Sequence, residues 1–237
     1  MSRRRRIGLL VPSSNTVMEP DLIGAFGPAA TIHTARMLLR DVTPDAESRM
    51  LDEHTLPAAE ALATLEPDVT VFGCTSAGAL RGHAADVALT ERIGQITGAP
   101  TISVIQAVRD ALQRLGARRI AVATPYTDAV TARVVASLED LGEIVAVANL
   151  GLVDNREIGD TSPERVVEFV VEQLGGVGTD AIFISCTNLR AVEALDEISA
   201  AVGLPVTSSN AAAIDAVRRQ IGHVDATGGH LHVGAQS

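Results

Sequence analysis

The chain has 237 residues, of which 46% are hydrophobic and 2% aromatic, and its formal net charge is −10 at pH 7. The negative charge argues against a general nucleic-acid-binding protein, and without a run of about 18 apolar residues no transmembrane helix is predicted. All 19 basic residues are arginine; without lysine, Schiff-base catalysis and the P-loop phosphate site are excluded.

In chain order, short apolar runs rich in β-branched residues alternate with longer segments that have helical periodicity. Such runs predict buried parallel strands that are covered by helices. The low aromatic content suits this class, because Ala, Val, Leu and Ile fill the core of a parallel sheet. The predicted strands are residues 7–11, 31–39, 69–74, 101–104, 119–123, 144–150, 181–185 and 205–207.

Two helix starts are well marked in the sequence. Thr43-Pro44 and Ser162-Pro163 each place a hydroxyl residue as N-cap before a proline at the first helical position. Acidic residues follow in the first turn of each predicted helix, which the helix dipole favours. The other expectations are a possible helix break before Pro57, a helix at 91–97 and a loop at 154–159.

The order of these elements repeats in the second half of the chain. Cys74 and Cys186 are 112 residues apart, and Pro12 and Pro125 are 113 residues apart. In both halves a strand ends in a small residue followed by Cys-Thr. A period of this length is too long for a solenoid. It predicts an α/β protein with two similar domains related by a pseudo-twofold axis, each with a parallel four-stranded sheet and with a cleft between them.

The domain boundaries follow from the same repeat. We expect residues 1–103 together with 208–237 to form the first domain, which carries Cys74, and residues 104–207 to form the second, which carries Cys186. The helix after residue 103 would then begin the second domain. The last long helix would return to pack on the first.

The two cysteines are the best candidates for chemistry. Ligands bind at the carboxyl ends of parallel strands, and both cysteines lie at such ends. Helix N-termini are expected after each, at 76–79 and 188–191, where N–H groups favour a thiolate. One thiolate can attack or remove a proton while the other thiol donates one. The alternative is that both are buried packing residues. A zinc site is not predicted, because no histidine lies at ligand spacing from either cysteine.

The chain resembles the aspartate/glutamate racemase superfamily, and within it the branch of the maleate cis-trans isomerases and arylmalonate decarboxylases. The segment VPSSNTVMEP at residues 11–20 is its most specific part, and the two strand-end cysteines, Thr124-Pro125-Tyr126 and Asp154-Asn155 add to it. The resemblance implies a cofactor-independent enzyme with two pseudo-symmetric Rossmann-like (flavodoxin-like) αβα domains and an active site between them. It further implies that Cys74 is the nucleophile, that Cys186 is the acid/base, and that Asn15, Tyr126 and Asn155 hold the substrate carboxylates.

The expected activity is the cis–trans isomerisation of a small dicarboxylate, maleate to fumarate. Polar residues follow both cysteines, at Thr75-Ser76 and Thr187-Asn188, and this is more similar to the amino-acid racemases. A racemase of an amino acid or hydantoin therefore stays open as an alternative. So do an arylmalonate-type decarboxylase, which is associated with a single cysteine, and a two-lobed small-molecule-binding protein without catalysis.

The remaining candidates are weaker. Arg36 lies within a predicted strand, where its charge needs a partner, so it faces either the cleft or an interface. His33 and His54 are interpreted as structural or surface residues. The expected partner is a small carboxylate, with neither nucleic acid nor membrane, in a cytoplasmic homodimer. Ser14, Thr75 and Thr187 are further expected substrate contacts, and His230 and His232 are at most a weak metal site.

Overall fold

The structure, a computed structural model, describes residues 3–222. All eight predicted strands are present, and each differs from its predicted range by a few residues at the ends. They are β1 (Arg5–Pro12), β2 (Ala30–Met37), β3 (Val69–Phe72), β4 (Thr101–Ser103), β5 (Arg119–Tyr126), β6 (Glu143–Leu152), β7 (Ala181–Ile184) and β8 (Val206–Ser208).

The strands form two four-stranded sheets with the same topology. The order is β2-β1-β3-β4 in the first sheet and β6-β5-β7-β8 in the second. All pairs are parallel: Ile7 is in register with Ile32 on one side and Val69 on the other, and Ile120 with Ala181. Each strand order becomes the other when four is added to the strand number. The predicted α/β class with two parallel four-stranded sheets is therefore confirmed.

Helices connect the strands, and the marked helix starts are where the sequence predicts them. Thr43 accepts a hydrogen bond from the Ala46 N–H at 3.3 Å, and Ser162 accepts one from the Arg165 N–H at the same distance. The helices are α1 (Met18–Phe26), α2 (Pro44–Arg49), α3 (Thr55–Ala63), α4 (Thr75–Leu80), α5 (His83–Thr97), α6 (Val104–Arg114), α7 (Asp128–Ala136), α8 (Asn155–Asp160), α9 (Pro163–Leu174), α10 (Leu195–Val202) and α11 (Ser209–Ile221).

The expected break before Pro57 takes the form of a π-helical turn. Residues Met50–His54 join α2 to α3 with π-helical geometry. Proline has no N–H and its ring clashes with the carbonyl four residues earlier. The wider π turn relieves that clash without ending the helix. The segment therefore continues as one bent helical unit.

Three expectations about helices differ from the structure. The helix predicted at 91–97 is present and ends at Thr97, but α5 begins earlier than predicted, at His83. Its buried face carries Asp86, Thr90 and Thr97 beside Ile93, so the apolar pattern that could have marked the earlier start is weak. The segment predicted as a loop at 154–159 contains α8, which the Asp154 carboxylate caps. No helix begins at 188–191: the chain makes a turn after the second cysteine, and regular helix starts only at α10.

The two sheets share one hydrophobic core. The main cluster of buried side chains includes Ile7 of β1, Val108 of α6, Ile182 of β7 and Val217 of α11. α6 and α11 pack on each other, and α11 also contacts α1, β3 and β4. These contacts support the predicted return of the last helix to the first half. The division at residues 103 and 207 stays a prediction. Among residues 3–222, no helix is long and apolar enough to cross a membrane.

Candidate active site

The two cysteines lie just beyond the ends of central strands, and their backbones are closely constrained. Gly73 precedes Cys74 where a side chain has no room: a Cβ atom there would lie 2.7 Å from the Met18 sulfur and 2.8 Å from the Leu10 carbonyl oxygen. Cys186 has a φ of +104°, a conformation that residues with side chains rarely adopt. Strained backbone of this kind concentrates at functional sites.

Both cysteines border one small cavity between the sheets. Its volume is about 10 Å³, which is room for about one water molecule. The cavity is therefore narrow, and both thiols are buried and free. The lining residues are Pro12, Asn15, Leu39, Val42, Cys74, Ser76, Tyr126, Asn155, Cys186, Thr187 and Asn188.

Six of the eight predicted site residues border this cavity, and two lie behind it. The Ser14 hydroxyl donates to the Leu39 carbonyl at 2.6 Å and accepts from the Asn155 side-chain amide at 2.8 Å. The Thr75 hydroxyl donates to Ser209 at 2.8 Å. As substrate contacts, Ser14 and Thr75 stay predictions, because in this structure their hydroxyls bond to other groups of the protein.

Asn15 has two roles in the structure. Its side-chain oxygen, Oδ1, accepts hydrogen bonds from the N–H groups of Val17 and Met18, at 3.1 and 3.0 Å, and so holds the start of α1. Its amide nitrogen donates to the Thr187 hydroxyl at 3.1 Å across the cleft. The helix cap fixes the orientation of the amide group, and the NH₂ end is thereby turned toward the cavity.

The threonine after each cysteine connects the two halves of the chain. The Thr187 hydroxyl donates to the Gly73 carbonyl oxygen at 3.0 Å, next to Cys74. Ser209, which accepts from Thr75, also accepts from the backbone N–H of Cys186 at 3.1 Å. Each threonine therefore braces the cysteine turn of the opposite half. The repeated Cys-Thr pair has a structural reason as well as a possible role in binding.

The Cys186 thiol is surrounded by hydrogen-bond donors. Burial raises its pKa to about 11. The Tyr126 hydroxyl and the Asn188 N–H, which lies 3.2 Å from the sulfur, both act in the opposite direction. Burial also raises the pKa of Tyr126 well above its usual value, and the neighbouring Cys186 adds to the effect. Tyr126 therefore stays a neutral donor toward Cys186.

The Cys74 thiol has a different neighbour. Its sulfur lies 3.9 Å from the Ser76 hydroxyl oxygen, and Ser76 donates a short hydrogen bond to a carboxylate oxygen of Glu47. Burial raises the pKa of Cys74 strongly, and the charge of Glu47 raises it further. Burial likewise raises the pKa of Glu47 to about 7, although its bond from Ser76 lowers it.

Several residues around the cavity were not predicted as site residues. From the sequence, Glu47 is an ordinary acidic residue in the first turn of α2. Only its complete burial in the structure distinguishes it from an exposed acid such as Asp45. Ser76 and Asn188 each lie two positions after a cysteine, and this equal spacing in the two halves could have marked them as site residues. Leu39 and Val42 border the cavity from the loop after β2, and nothing in the sequence marks them as lining residues.

The other weak candidates lie away from the cavity. Arg36 forms an ion pair with Glu19 at 3.0 Å and donates to the backbone carbonyl oxygen of Asn15 at 2.7 Å, so it supports the loop after β1. His33 contacts Thr31 at 2.9 Å. Within residues 3–222, no group of three or more His, Cys, Asp or Glu residues has a metal-binding arrangement. His230 and His232 lie outside the described residues.

Comparison with known proteins places this chain in a family. The model of the Amdase family, described as arylmalonate decarboxylase, matches residues 7–233. A maleate isomerase from Geobacillus stearothermophilus is 30% identical over 224 residues, which are 88% of each chain.

Solved structures show the same fold. A cysteine-to-alanine variant of the maleate isomerase Iso from Pseudomonas putida S16, with maleate, has 28% identity and a TM-score of 0.85 over 92% of both chains. A cysteine-to-serine variant of the Nocardia farcinica maleate cis-trans isomerase, with a covalently bound succinylcysteine intermediate, has a TM-score of 0.83 at 27% identity over 92% of this chain and 93% of the other. Because the family match covers most of the sequence, the protein belongs to the Amdase family, and the predicted resemblance to the branch of maleate isomerases and arylmalonate decarboxylases is confirmed.

Proposed function

We propose that the protein is a cofactor-independent isomerase that converts maleate to fumarate. The observation that carries the proposal is the placement of two buried free thiols, Cys74 and Cys186, on one small cavity between the sheets. The similarity to maleate isomerases from several bacteria supports it. So does the succinylcysteine intermediate of the Nocardia farcinica relative, which is the adduct expected from a thiol and maleate.

Uncharged donors are positioned to hold the substrate carboxylates. An amide NH₂ group carries two donors. Asn15 uses one of them for Thr187, and Asn155 uses one for Ser14, so each has a second N–H for the ligand. Tyr126, which stays protonated, adds a hydroxyl. Neutral donors suit a substrate that must change shape, because they hold carboxylates less rigidly than a bidentate arginine does.

The proposed reaction begins with addition of Cys74. The thiolate forms a C–S bond to one alkene carbon, and the π electrons move to the neighbouring carbon, where the adjacent carboxylate stabilises them. Cys186 donates a proton to that carbon and later removes it. The central bond of the adduct is single and rotates. Loss of the thiolate re-forms the double bond in the trans geometry, and both cysteines return to their starting states.

The direct test is incubation with maleate, followed by proton NMR for the fumarate signal. The expected result is conversion by the wild-type protein and loss of conversion in Cys74→Ser. Glu60→Gln is a suitable control, because Glu60 is exposed on α3 and should leave conversion unchanged. Absence of turnover in the wild-type protein, with the fold intact by circular dichroism, would contradict the proposal.

A decarboxylase is the second candidate, and the family description itself favours it. An arylmalonate substrate distinguishes the two, because a decarboxylase releases carbon dioxide from it and an isomerase of maleate does not. The racemase alternative is tested in deuterium oxide. A racemase incorporates deuterium at the α-carbon of an amino acid without net conversion, whereas the proposed isomerase does not act on that substrate.

We also propose that the enzyme works without a metal, in the cytoplasm, as a homodimer. The absence of lysine from the sequence supports independence from pyridoxal phosphate. Val147 and Val153, exposed on and beside the edge strand β6, offer an apolar surface for a second copy. Unchanged activity in EDTA and a dimer mass by light scattering are the expected results.

A further inference from the structure

The Cys74 thiol must lose its proton before its sulfur can add to the substrate, and a group near the cavity must accept that proton. The proposed addition needs Cys74 as a thiolate, yet burial and the nearby carboxylate both favour its protonated form. The cavity has room for about one water molecule and the Cys74 side chain is buried, so few water molecules can accept the proton. A buried group beside Cys74 can receive it more readily.

The contacts of Ser76 provide a path for such a transfer. When the Ser76 hydroxyl donates to Glu47 Oε1, its oxygen is free to accept from the Cys74 S–H, whose sulfur lies 3.9 Å away. Ser76 borders the cavity and Glu47 does not. The side chains therefore form a chain from the cavity inward, from sulfur to hydroxyl to carboxylate.

Glu47 has the properties of a proton acceptor. It is 0% exposed although it is charged in its usual state, and its second carboxylate oxygen is buried without a hydrogen-bond partner. A fully buried carboxylate normally needs several donors or a cation. Here it has one donor, Ser76, and it gains stability when it takes up a proton.

None of the arginine side chains on or directly after the helices α2 and α4 pairs with the Glu47 carboxylate. The ionisable groups that interact with its carboxyl are Cys74, Cys186 and Tyr126. Arg81, which follows the helix α4 that packs against α2, points to the surface and pairs with Asp52 at 2.7 Å. The exposed Asp45 and Arg49 of α2 also lie on its outer side.

We propose that Glu47, acting through the Ser76 hydroxyl, receives the proton that Cys74 gives up when its sulfur adds to the substrate. This inference rests on the proposed function of Cys74. In the step, the S–H bond breaks as the proton moves to Ser76, and the Ser76 proton moves to Glu47. The negative charge passes from the carboxylate to sulfur and then to the adduct. Elimination of the thiolate reverses every transfer. Ser76 touches the reacting atom, and Glu47 is a positioning residue that stores the proton.

The test uses the reaction of Cys74 with iodoacetamide in the Cys186→Ser background, followed by mass spectrometry from pH 5 to 10. With Glu47 present, the pocket holds one negative charge that Glu47 and Cys74 share. The rate should rise until about pH 7, as the carboxyl loses its proton, and then level off. In Glu47→Gln the thiol loses its proton to solvent, so the rate should keep rising about tenfold per pH unit without a plateau. Glu60→Gln should retain the plateau.

Turnover of maleate provides the second readout. Glu47→Gln keeps the acceptor for Ser76 but cannot take a proton, so turnover at pH 7 should fall about 100-fold, the usual contribution of a general base. Ser76→Ala should fall similarly, because it interrupts the chain with Glu47 intact. A plateau that persists in Glu47→Gln, or turnover within about twofold of wild type in either variant, overturns the proposal. The alkylation profile needs no maleate, so it also separates failure of the proton path from failure of the proposed substrate.

Discussion

The turns that carry Cys74 and Cys186 occupy equivalent places in the two sheets, but they differ in structure. Cys74 has an extended backbone with φ −143° and leads directly into a helix, whereas Cys186 has φ +104° and is followed by a turn. Ser76 connects the first sulfur to the carboxylate of Glu47. The second sulfur faces the hydroxyl of Tyr126. The repeat gives both thiols equivalent positions in the two sheets. The residues around them differ, so that Cys74 lies near a proton acceptor, Glu47, and Cys186 lies near a hydrogen-bond donor, Tyr126.

The largest expected effect is the formation of a covalent adduct on only one of the two cysteines. After exposure to maleate, Cys186→Ser should accumulate a succinyl adduct on Cys74, because addition occurs and release is slow. Cys74→Ser should give no adduct and lose turnover by about 1,000-fold or more, since the nucleophile is absent. Intact-protein mass spectrometry and peptide mapping provide the measurement. An adduct on Cys186 would reverse the assignment of the two thiols.

Tyr126→Phe tests the donor side of the comparison. The change removes the Tyr126 hydroxyl, which lowers the pKa of Cys186, so that pKa should rise further. Loss of a donor to a charged group corresponds to a loss of about 10- to 100-fold in turnover. The measurements are kcat/KM for maleate and the pH dependence of Cys186 alkylation in the Cys74→Ser background. If Tyr126 bound only substrate, KM would rise and the alkylation profile would not move.

Glu47→Gln tests the acceptor side through stability. Because the pKa of Glu47 is about 7 when folded and 4.5 ordinarily, the folded protein binds this proton more tightly than the unfolded chain. The resulting stabilisation is present below pH 4.5 and is lost as the pH rises through 7, by about 1–3 kcal/mol. Urea unfolding at pH 5 and 8 should show that decrease in wild type and much less of it in Glu47→Gln. An equal decrease in both would show that Glu47 ionises normally.

The smallest effect concerns the two threonine braces. Thr75→Val removes one buried hydrogen bond, to Ser209, and Thr187→Val removes two, to Gly73 and from Asn15. The free energy of unfolding should fall by about 1 kcal/mol for each bond lost. Each should also change the alkylation rate of the cysteine in the opposite half more than that of its own neighbour. A rise in KM with unchanged stability would instead indicate that the threonine binds substrate.

The sequence predicts the fold well because strand signals are strong in this chain. Apolar β-branched runs mark all eight strands, and the repeat of Cys-Thr pairs them into two sheets. The helix errors arise where the apolar pattern is weak: α5 buries Asp86 and Thr90, and α8 depends on one capping carboxylate, Asp154. The missing helix after Cys186 shows that a repeat in sequence does not guarantee the same backbone.

The sequence predicts those residues of the candidate site whose side chains have a recognisable reactive or polar group at the end of a strand. Cys74, Cys186, Asn15, Tyr126 and Asn155 all border the cavity, although their roles with substrate stay predictions. Glu47 could not be found in this way, because a glutamate in the first turn of a helix is expected at the surface. Its burial depends on how α2 packs against α4, which is a tertiary contact without a local signal.

The shared core bears on how the protein folds. Because the faces of α6 and α11 cover each other within the main hydrophobic cluster, separating the two halves would expose part of the core of both. The chain should therefore unfold in a single cooperative transition, with calorimetric and van't Hoff enthalpies in agreement. Separately expressed halves should be insoluble or unfolded. Cooperativity of this kind would keep the two thiols together: the native state either contains the complete site or does not form.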